Sequence, residues 1–446
     1  MKRQTISFVI AMTAIAIMCE SASADWLRFR GPNGSGISET AAPVEFGADK
    51  NMKWKVKLPG KGVSSPIIVG DKVFVTCYSG YGGDLGQDIE ELKRHLVCVD
   101  RKSGKVIWDK AVKADMPEDP WDGMGVPAHG YASHTPASDG KHVFVFYGKS
   151  GVRAYDMDGE EKWHVNVGKE SGPRQWGSSS SPIVYKDKVI ITASDESEAI
   201  VALDAATGKE AWKQEAEMLG GIWGTPALAE GPNGTEIVLA VMGEVWGFNA
   251  DTGKLRWYSP GNEGANHSVV VADGIAYSLG GGRSGANGVA VKAGQKGEVK
   301  ELVWENNASG RFASPVVYKK KVFSVSGSIV ACYDATNGKK VFEKRLPQGS
   351  AAGNAGGDRP QRNGGPGGGG RGGRGGMEYA SPIIAGGNMY VVTGGGQVHV
   401  IDVSEDYKVL ATNDLSFDGS GFSATPAADG GDLMIRSNSH LYCIGE

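Results

Sequence analysis

Short apolar stretches recur along the chain at a nearly constant spacing. Each begins with a serine or threonine, and the uninterrupted steps between them are roughly 43 to 46 residues. The eight starting residues are Ser65, Thr135, Ser181, Thr225, Ser268, Ser314, Ser381 and Thr425, and all but Ser268 are followed by proline. A repeat of this length is typical of one four-stranded propeller blade. The pattern therefore predicts an all-β fold, an eight-bladed β-propeller of four-stranded blades.

The third repeat shows the internal order of one unit. The apolar segments Pro182–Tyr185, Val189–Thr192 and Ile200–Leu203 have the length and the β-branched content of strands. A turn at Gly208 follows the third segment, because glycine takes the positive φ that such turns need. Trp212 lies on the predicted fourth strand.

The two ends of the chain are expected to close the ring. The segment His440–Glu446 follows a predicted third strand, so the last blade lacks its fourth strand. The segment Met52–Val56, with Trp54 at its centre, has the pattern of that missing strand. Pairing the two ends in one blade would remove an open sheet edge.

A motif with tryptophan at its end recurs in register with the repeat. Its complete form comprises Ala202, Asp204, Thr207, Gly208, Lys209 and Trp212, with close copies ending at Trp108 and Trp257. The motif resembles the pyrroloquinoline-quinone (PQQ)-like propeller repeat, whose tryptophan docks on the neighbouring blade. In length, blade count and export, the chain also resembles the propeller subunit of the outer-membrane β-barrel assembly machinery. That resemblance implies protein partners bound through loops, without catalysis, and carries over no individual residue.

The first 24 residues have the features of a signal peptide. Lys2 and Arg3 form a basic start, and the apolar core Phe8–Met18 is too short to span a bilayer. We predict cleavage after Ala24 and a periplasmic or secreted protein. Cys19 raises lipidation as an alternative, but the bulky methionine before it does not suit that processing.

Residues 25–446 are predicted to form a single PQQ-like propeller domain. The net charge of −4 and the isoelectric point near 6.1 give no indication of nucleic acid or of an anionic membrane as a partner. The glycine-rich segment 348–376 is expected to be a disordered loop. The cysteines of this domain are expected to be buried thiols, although a disulfide between Cys77 and Cys98 stays open.

One face of the propeller should carry all the long insertions, which are residues 79–94, 111–130, 280–288 and 348–376. Binding usually occurs on loops held by a rigid scaffold. Residues just before each first strand should ring the channel mouth there. They are Tyr131, His134, Arg174, Trp176, Trp223, His267, Arg311, Phe312, Glu378, Tyr379 and Phe422. Two interpretations remain open: an aromatic and cationic funnel for a ligand, or packing at blade junctions.

No catalytic or metal-binding set emerges. A PQQ enzyme often has a vicinal disulfide and a calcium site, and no Cys-Cys pair or clear calcium set is present. The acidic loops 84–91 and 115–122 are expected to be solvated, and His129 with His134 lack a third ligand. We therefore expect no cofactor, although PQQ and calcium stay conceivable.

The sequence favours a non-catalytic binding or assembly scaffold in the cell envelope. Its partners would be envelope proteins, or a small-molecule or glycan ligand at the loop-rich face, and not nucleic acid. No transmembrane segment is expected. The alternatives are a PQQ-dependent dehydrogenase-like oxidoreductase and a carbohydrate-binding propeller.

Overall fold

A computed structural model describes residues 25–123, 125–264, 266–280, 288–308, 310, 312–347, 379–404 and 407–446. The predicted signal peptide, the glycine-rich segment 348–376, and the predicted site residues Arg311 and Glu378 lie outside the described residues.

The chain begins with two short strands that join blades formed much later in the sequence. These are β1 (Ile37–Ser38) and β2 (Met52–Lys57).

Blade 1 comprises β3 (Ile67–Val69), β4 (Lys72–Ser79), β5 (Lys93–Asp100) and β6 (Val106–Lys113). Blade 2 comprises β7 (Ala137–Ser138), β8 (His142–Phe146), β9 (Val152–Asp156) and β10 (Glu161–Val165). Blade 3 comprises β11 (Ile183–Tyr185), β12 (Lys188–Ala193), β13 (Ala199–Asp204) and β14 (Glu210–Glu215).

The remaining blades follow the same order. Blade 4 comprises β15 (Ala227–Ala229), β16 (Glu236–Val241), β17 (Glu244–Asn249) and β18 (Leu255–Pro260). Blade 5 comprises β19 (Val270–Ala272), β20 (Ile275–Leu279), β21 (Gly288–Lys292) and, after β22 (Gly297–Glu298), β23 (Trp304–Asn306). Blade 6 comprises β24 (Val316–Tyr318), β25 (Lys321–Ser326), β26 (Ile329–Asp334) and β27 (Lys340–Arg345). Blade 7 comprises β28 (Ile383–Ala385), β29 (Asn388–Val392), β30 (Gln397–Asp402) and β31 (Lys408–Asp414). Blade 8 begins with β32 (Ala427–Asp429), β33 (Asp432–Arg436) and β34 (His440–Ile444).

Helices are confined to single turns in the connections. The α-helical turns are α1 (Val126–His129) and α2 (Ser194–Ser197). The 3₁₀ turns are Pro32–Gly34, Ile89–Glu91, Gly148–Ser150, Glu217–Leu219 and Ser416–Asp418. No helix in the described ranges is long and apolar enough to cross a membrane.

The described strands form eight antiparallel blade sheets, as the repeat predicts. Their middle strands are buried on both sides and form apolar clusters between neighbouring blades, which explains their continuous apolar runs. The outermost strands alternate; in β6, for example, exposed and half-buried residues follow one another. Two blades gain a fifth, parallel strand, β1 on β28 and β22 on β18.

The predicted closure of the ring is confirmed. Strand β2 completes blade 8 in the order β2-β34-β33-β32, and Trp54 lies opposite Cys443. The free edge of β34 is thereby paired with a segment almost 400 residues away in sequence.

A closed ring of hydrogen bonds links the eight repeat-starting residues. The Ser65 N–H donates to Thr135 Oγ1 at 2.9 Å, and each next residue repeats this, until the Thr425 N–H donates to Ser65 Oγ at 3.1 Å. All eight residues are buried. The feature that every repeat keeps is therefore the hydroxyl group and not the proline that follows it. Ser268 has the hydroxyl group although no proline follows it.

The tryptophan of one blade stacks on the turn glycine of the next, as expected from the motif. At Gly208 (φ 72°), an added Cβ would lie 2.7 Å from the ring of Trp163, and the Trp163 Nε1–H donates to Ala205 O at 3.0 Å. The equivalent pairs are Trp54 with Gly104, Trp108 with Gly159, Trp212 with Gly253 and Trp304 with Gly338. Trp257 differs, because its Nε1–H donates to Glu236 of its own blade at 2.8 Å.

The cysteines of the propeller are buried free thiols, as expected. A disulfide between Cys77 and Cys98 does not form because the two residues are out of register on neighbouring strands. Cys77 lies opposite His95, and Cys98 lies opposite Phe74. The two thiols also belong to different apolar clusters.

The segment 25–38 lies inside the channel. It contacts the innermost strands of several blades, since Trp26 pairs with Ile68 of blade 1 and Arg28 donates to Pro226 O of blade 4 at 2.6 Å. Arg30 donates to Pro315 O of blade 6 at 2.7 Å, after which β1 joins blade 7. Residues 30–34 form a turn within this segment, with Arg30 in the left-handed region.

We predict that Ser181→Ala lowers the free energy of unfolding by about 1–3 kcal/mol, because the buried Thr135 N–H loses its acceptor. Ser181→Thr keeps the hydroxyl oxygen and adds one methyl group, which the threonines of other blades carry at the same position. It should therefore lower the free energy of unfolding much less. Urea unfolding followed by fluorescence measures both variants. Equal losses for the two substitutions would contradict a role of the hydroxyl in the ring.

Candidate functional site

Two long insertions from blade 1 fold against each other on one face. They comprise residues 80–92, between β4 and β5, and residues 114–136, between β6 and β7. The first is shorter than the predicted 79–94, because β4 and β5 extend into it. The second begins later than the predicted 111–130, because β6 continues to Lys113, and it ends later, because β7 begins only at Ala137. Of the other two predicted insertions, residues 281–287 and 348–378 lie outside the described residues.

Aromatic rings hold the two insertions together. Tyr131 lies at the centre, with its ring centroid 5.5 Å from Tyr78, 5.9 Å from Tyr81 and 6.1 Å from Trp121. Leu92 and Val126 complete the cluster and are buried. The pair of insertions is therefore a small folded unit with its own core, which we call the blade-1 cap.

Buried ion pairs tie the blade-1 cap to the propeller. Arg94 on β5 donates to Glu118 Oε1 at 2.5 Å, and Lys149 of blade 2 donates to Asp119 Oδ1 at 2.8 Å. The side chains of Glu118 and Asp119 are only 4% and 5% exposed. The prediction of a solvated acidic loop is therefore wrong for these two residues, since cations from elsewhere in the fold neutralise them.

A histidine, a serine and a glutamate form a hydrogen-bonded chain beside these ion pairs. His134 Nε2 lies 3.1 Å from Ser178 Oγ, and Ser178 Oγ donates to Glu196 Oε1. Burial raises the pKa of Glu196 to about 7 and lowers the pKa of His134 well below its usual value. His134 is thus neutral near neutral pH, and Glu196 is protonated in about half of the molecules. Glu196 Oε2 and His134 Nδ1 are buried without a partner.

Glu196 belongs to an acidic pair in α2 that sequence reasoning missed. Burial raises the pKa of its neighbour Asp195 to about 6, and the Gly221 N–H donates to Asp195 Oδ1 at 3.3 Å. The available signal was a pair of adjacent acidic residues between two largely apolar strands, β12 and β13. Nothing in the sequence shows that the turn is buried.

Two clefts adjoin α1 on this face. The first is lined by charged and polar groups, including Arg94, Asp119, His134, Lys149 and Glu196, and its free volume of about 20 Å³ has room for about one water molecule. The second is larger, with a free volume of about 180 Å³, and lies between the blade-1 cap and the propeller. Its lining combines aromatic rings with backbone and includes Tyr78, Trp121, Gly62, Gly82, Gly83 and Gly130.

Four of the predicted mouth residues form two aromatic pairs. Trp176 and Trp223 have ring centroids 5.7 Å apart, and Phe312 and Tyr379 have centroids 4.7 Å apart. Arg174 is exposed, and its guanidinium lies 5.0 Å from the Trp176 ring centroid. The Trp223 Nε1–H donates to Gly177 O at 2.9 Å, which fixes that indole.

The other predicted mouth residues that the structure describes are buried. His134 and Tyr131 belong to the contacts above, and Phe422 stacks on Tyr442 with centroids 6.1 Å apart. His267 Nε2 lies 2.8 Å from Ser278 Oγ, and burial lowers its pKa to about 4. A ligand-binding role for the mouth residues stays a prediction.

The acidic residues of the first insertion, 84–91, contact solvent and nearby cations. Asp84 pairs with Lys61, and Glu90 lies 3.4 Å from Lys113. His129 does not face another metal ligand, because its Nε2 contacts Trp176 O at 2.8 Å. Within the described ranges, no group of three or more His, Cys, Asp or Glu side chains could hold a metal ion.

Residues 89–218 and 165–359 match the family model described as outer membrane protein assembly factor BamB. Together these ranges cover more than half of the chain. The chain belongs to the BamB family.

Solved structures support the fold of this BamB-family chain. BamB from Moraxella catarrhalis superimposes with a TM-score of 0.57 at 12% identity, covering 89% of this chain and 99% of that protein. A europium-containing methanol dehydrogenase gives a TM-score of 0.64 at 12% identity, covering 95% and 98%. At such low identity, these similarities establish the fold alone.

Two curated relatives are enzymes by name. A polyvinylalcohol dehydrogenase from Sphingopyxis sp. is 23% identical over 360 residues, covering 68% of this chain and 47% of that protein. One from Pseudomonas sp. is 21% identical over 264 residues, covering 49% and 37%. The chain therefore matches less than half the length of these relatives.

We predict that Glu196→Gln flattens the pH dependence of stability between pH 5 and pH 8. The folded state holds the Glu196 proton more tightly than the unfolded state, so stability falls as pH rises from the unfolded pKa near 4.5 to about 7. The loss above that window should be on the order of 3 kcal/mol, and glutamine removes it. Urea unfolding at both pH values measures the effect.

Glu198→Gln is the matched control, because Glu198 follows α2 in the same loop and is exposed. It should leave the pH profile unchanged. If Glu196→Gln also leaves the profile unchanged, Glu196 does not titrate in this range.

Proposed function

We propose that this chain is a non-catalytic scaffold of the cell envelope that binds an extended segment of a protein partner in the second cleft. The observation that carries the proposal is the blade-1 cap. Its two insertions are ordered by an aromatic core and by buried ion pairs, so the cleft is formed before a partner arrives.

The lining of the second cleft suits a polypeptide in extended conformation. The glycines of the wall carry no side chains, so an extended segment can lie close to the backbone there. The N–H groups of Gly62, Gly82 and Gly130 already donate within the fold, so contact with that segment is chiefly apolar. Tyr78 and Trp121 add apolar surface for side chains, and Lys61 with Asp84 supplies both charges at the rim. Aromatic residues of this kind often dominate binding energy at protein interfaces.

The comparisons support the same class of function. The family description names an assembly factor of the outer membrane. The predicted signal peptide would bring the chain to the compartment in which such an assembly factor acts.

The residues of this face do not suit a quinone with calcium. Calcium sites combine carboxylates with carbonyls and waters, and the carboxylates of this face are engaged, since Glu118 and Asp119 pair with cations and Glu196 accepts from Ser178. The indoles of Trp176 and Trp223 contact each other, which leaves no gap for a ring between them. These contacts favour the scaffold over the oxidoreductase alternative.

Trp121→Ala should weaken binding of the envelope partner at least tenfold, as expected for a central aromatic residue. Partner capture from envelope extract, followed by cross-linking from Lys61 and mass spectrometry, identifies the bound segment. Titration with that segment as a synthetic peptide then gives the affinity. Tyr258→Ala removes an exposed aromatic side chain from an outer strand of blade 4 and is the matched control.

Equal affinity for Trp121→Ala, Tyr258→Ala and the native chain would contradict binding in the second cleft. Calorimetric titration with PQQ and calcium tests the alternative directly. Tight, calcium-dependent binding would overturn the scaffold proposal in favour of an oxidoreductase.

Carbohydrate binding is a second candidate, favoured by the partly exposed pair of Trp176 and Trp223. If sugars bind there, Trp223→Ala should lower glycan affinity by about 0.5–1.5 kcal/mol, the usual contribution of an aromatic pair. Binding to immobilised oligosaccharides measures this effect. Glycan binding that is unaffected by Trp223→Ala would exclude the indole pair as the site.

A further inference from the structure

Two arginines of the channel segment are buried without an acidic partner. Arg28 is 8% exposed and Arg30 is fully buried. Among the ion pairs of the described residues, none includes either arginine. Arg94 and Arg101 differ, since Arg94 pairs with Glu118 and Arg101 pairs with Asp429. Arg436 is also buried without an acidic partner, but it lies outside the channel segment and donates to both Ser64 O and Ser64 Oγ.

Carbonyl oxygens satisfy only part of these guanidinium groups. Arg28 Nη2 donates to Pro226 O at 2.6 Å, and Arg30 Nη2 donates to Pro315 O at 2.7 Å and approaches Pro382 O at 3.4 Å. Arg28 Nε, Arg30 Nε and Arg30 Nη1 are buried without a partner. A guanidinium carries five N–H donors and no acceptor, so an acceptor is missing on both groups.

The two groups lie close to the same level of the channel. Pro226, Pro315 and Pro382 each follow directly on a residue of the hydroxyl ring, so their carbonyls belong to one layer of the fold. Arg28 reaches blade 4, and Arg30 reaches blades 6 and 7. Only blade 5 lies between the blade that Arg28 reaches and the nearer blade that Arg30 reaches.

The backbone around the arginines is shaped to hold them. At Gly36 (φ 74°), an added Cβ would lie 2.7 Å from Arg30 Nη2, and at Gly34 it would lie 3.3 Å from Arg28 Nη2. Strand β1 and the pairing of Trp26 with Ile68 fix the segment at both ends. The guanidiniums are therefore held in place in the absence of a ligand, as in a built binding site.

We propose that the channel binds a small inorganic anion, such as sulfate, phosphate or chloride, against the guanidinium groups of Arg28 and Arg30. Two buried positive charges without a counter-charge are costly, and an anion removes that cost while accepting the unpaired N–H groups. Burial lowers the pKa of Arg30 to about 9 and of Arg28 to about 10, which agrees with missing negative charge. This site is independent of the second cleft and of the scaffold function.

The anion can be located directly in crystals of the purified chain soaked in bromide. We expect an anomalous peak within hydrogen-bond distance of Arg30 Nε or Nη1. In solution, sulfate should raise the melting temperature at constant ionic strength, and Arg30→Met should weaken sulfate binding at least tenfold by calorimetry. Arg256→Met is the matched control, because Arg256 pairs with Glu236 on blade 4.

The absence of a bromide peak at both arginines would overturn the proposal, and this result does not depend on any variant folding. Stabilisation by sulfate that is equal in the native chain, Arg30→Met and Arg256→Met would also overturn it, since a general salt effect acts on all three. If Arg30→Met does not fold, Arg30→Lys keeps one charge with fewer donors and should show an intermediate affinity.

Discussion

The closed ring of hydrogen bonds among the eight repeat-starting residues is the constraint on which the rest of the structure depends. Each backbone N–H finds its acceptor only in the next blade. Because the residues are buried, every link must form, or a donor is left without a partner. A propeller with one blade more or fewer would still be able to close such a ring. The ring therefore fixes how the blades are aligned along the channel axis, and the hydrophobic packing between blades fixes how many blades there are.

The functional face is a consequence of that ring. Each connection between blades ends at a ring residue, so the residues just before it are held at the channel mouth. The blade-1 cap extends from this rigid base, and the pairs Arg94–Glu118 and Lys149–Asp119 attach it to two blades. The cap thus combines loop chemistry with the rigidity of a scaffold, which is the arrangement that binding sites commonly use.

The sequence predicts the repeated parts of the fold and fails where one residue meets a distant one. The strands, the tryptophan stacking and the closure by β2 follow from periodic patterns, and all are confirmed. Glu118 and Asp119 read as solvated, because no local pattern reveals that Arg94 and Lys149 neutralise them. Nothing local in the sequence marks Arg30 as buried, because its burial depends on carbonyls more than 280 residues away.

The course of the first 33 described residues has a consequence for the order of folding. Strand β1 pairs with β28, and β2 pairs with β34, so the first two strands find their strand partners only in the last two blades. Contacts at such sequence separation carry a large loop-closure entropy and slow the folding of β-rich chains. A growing chain emerging from a ribosome or a translocon cannot complete this ring until its final blade is free, and until then its terminal strand edges stay open to wrong partners. Pairing of the two ends of the chain in blade 8 closes the finished ring. The same pairing makes assembly of the ring a late and cooperative step.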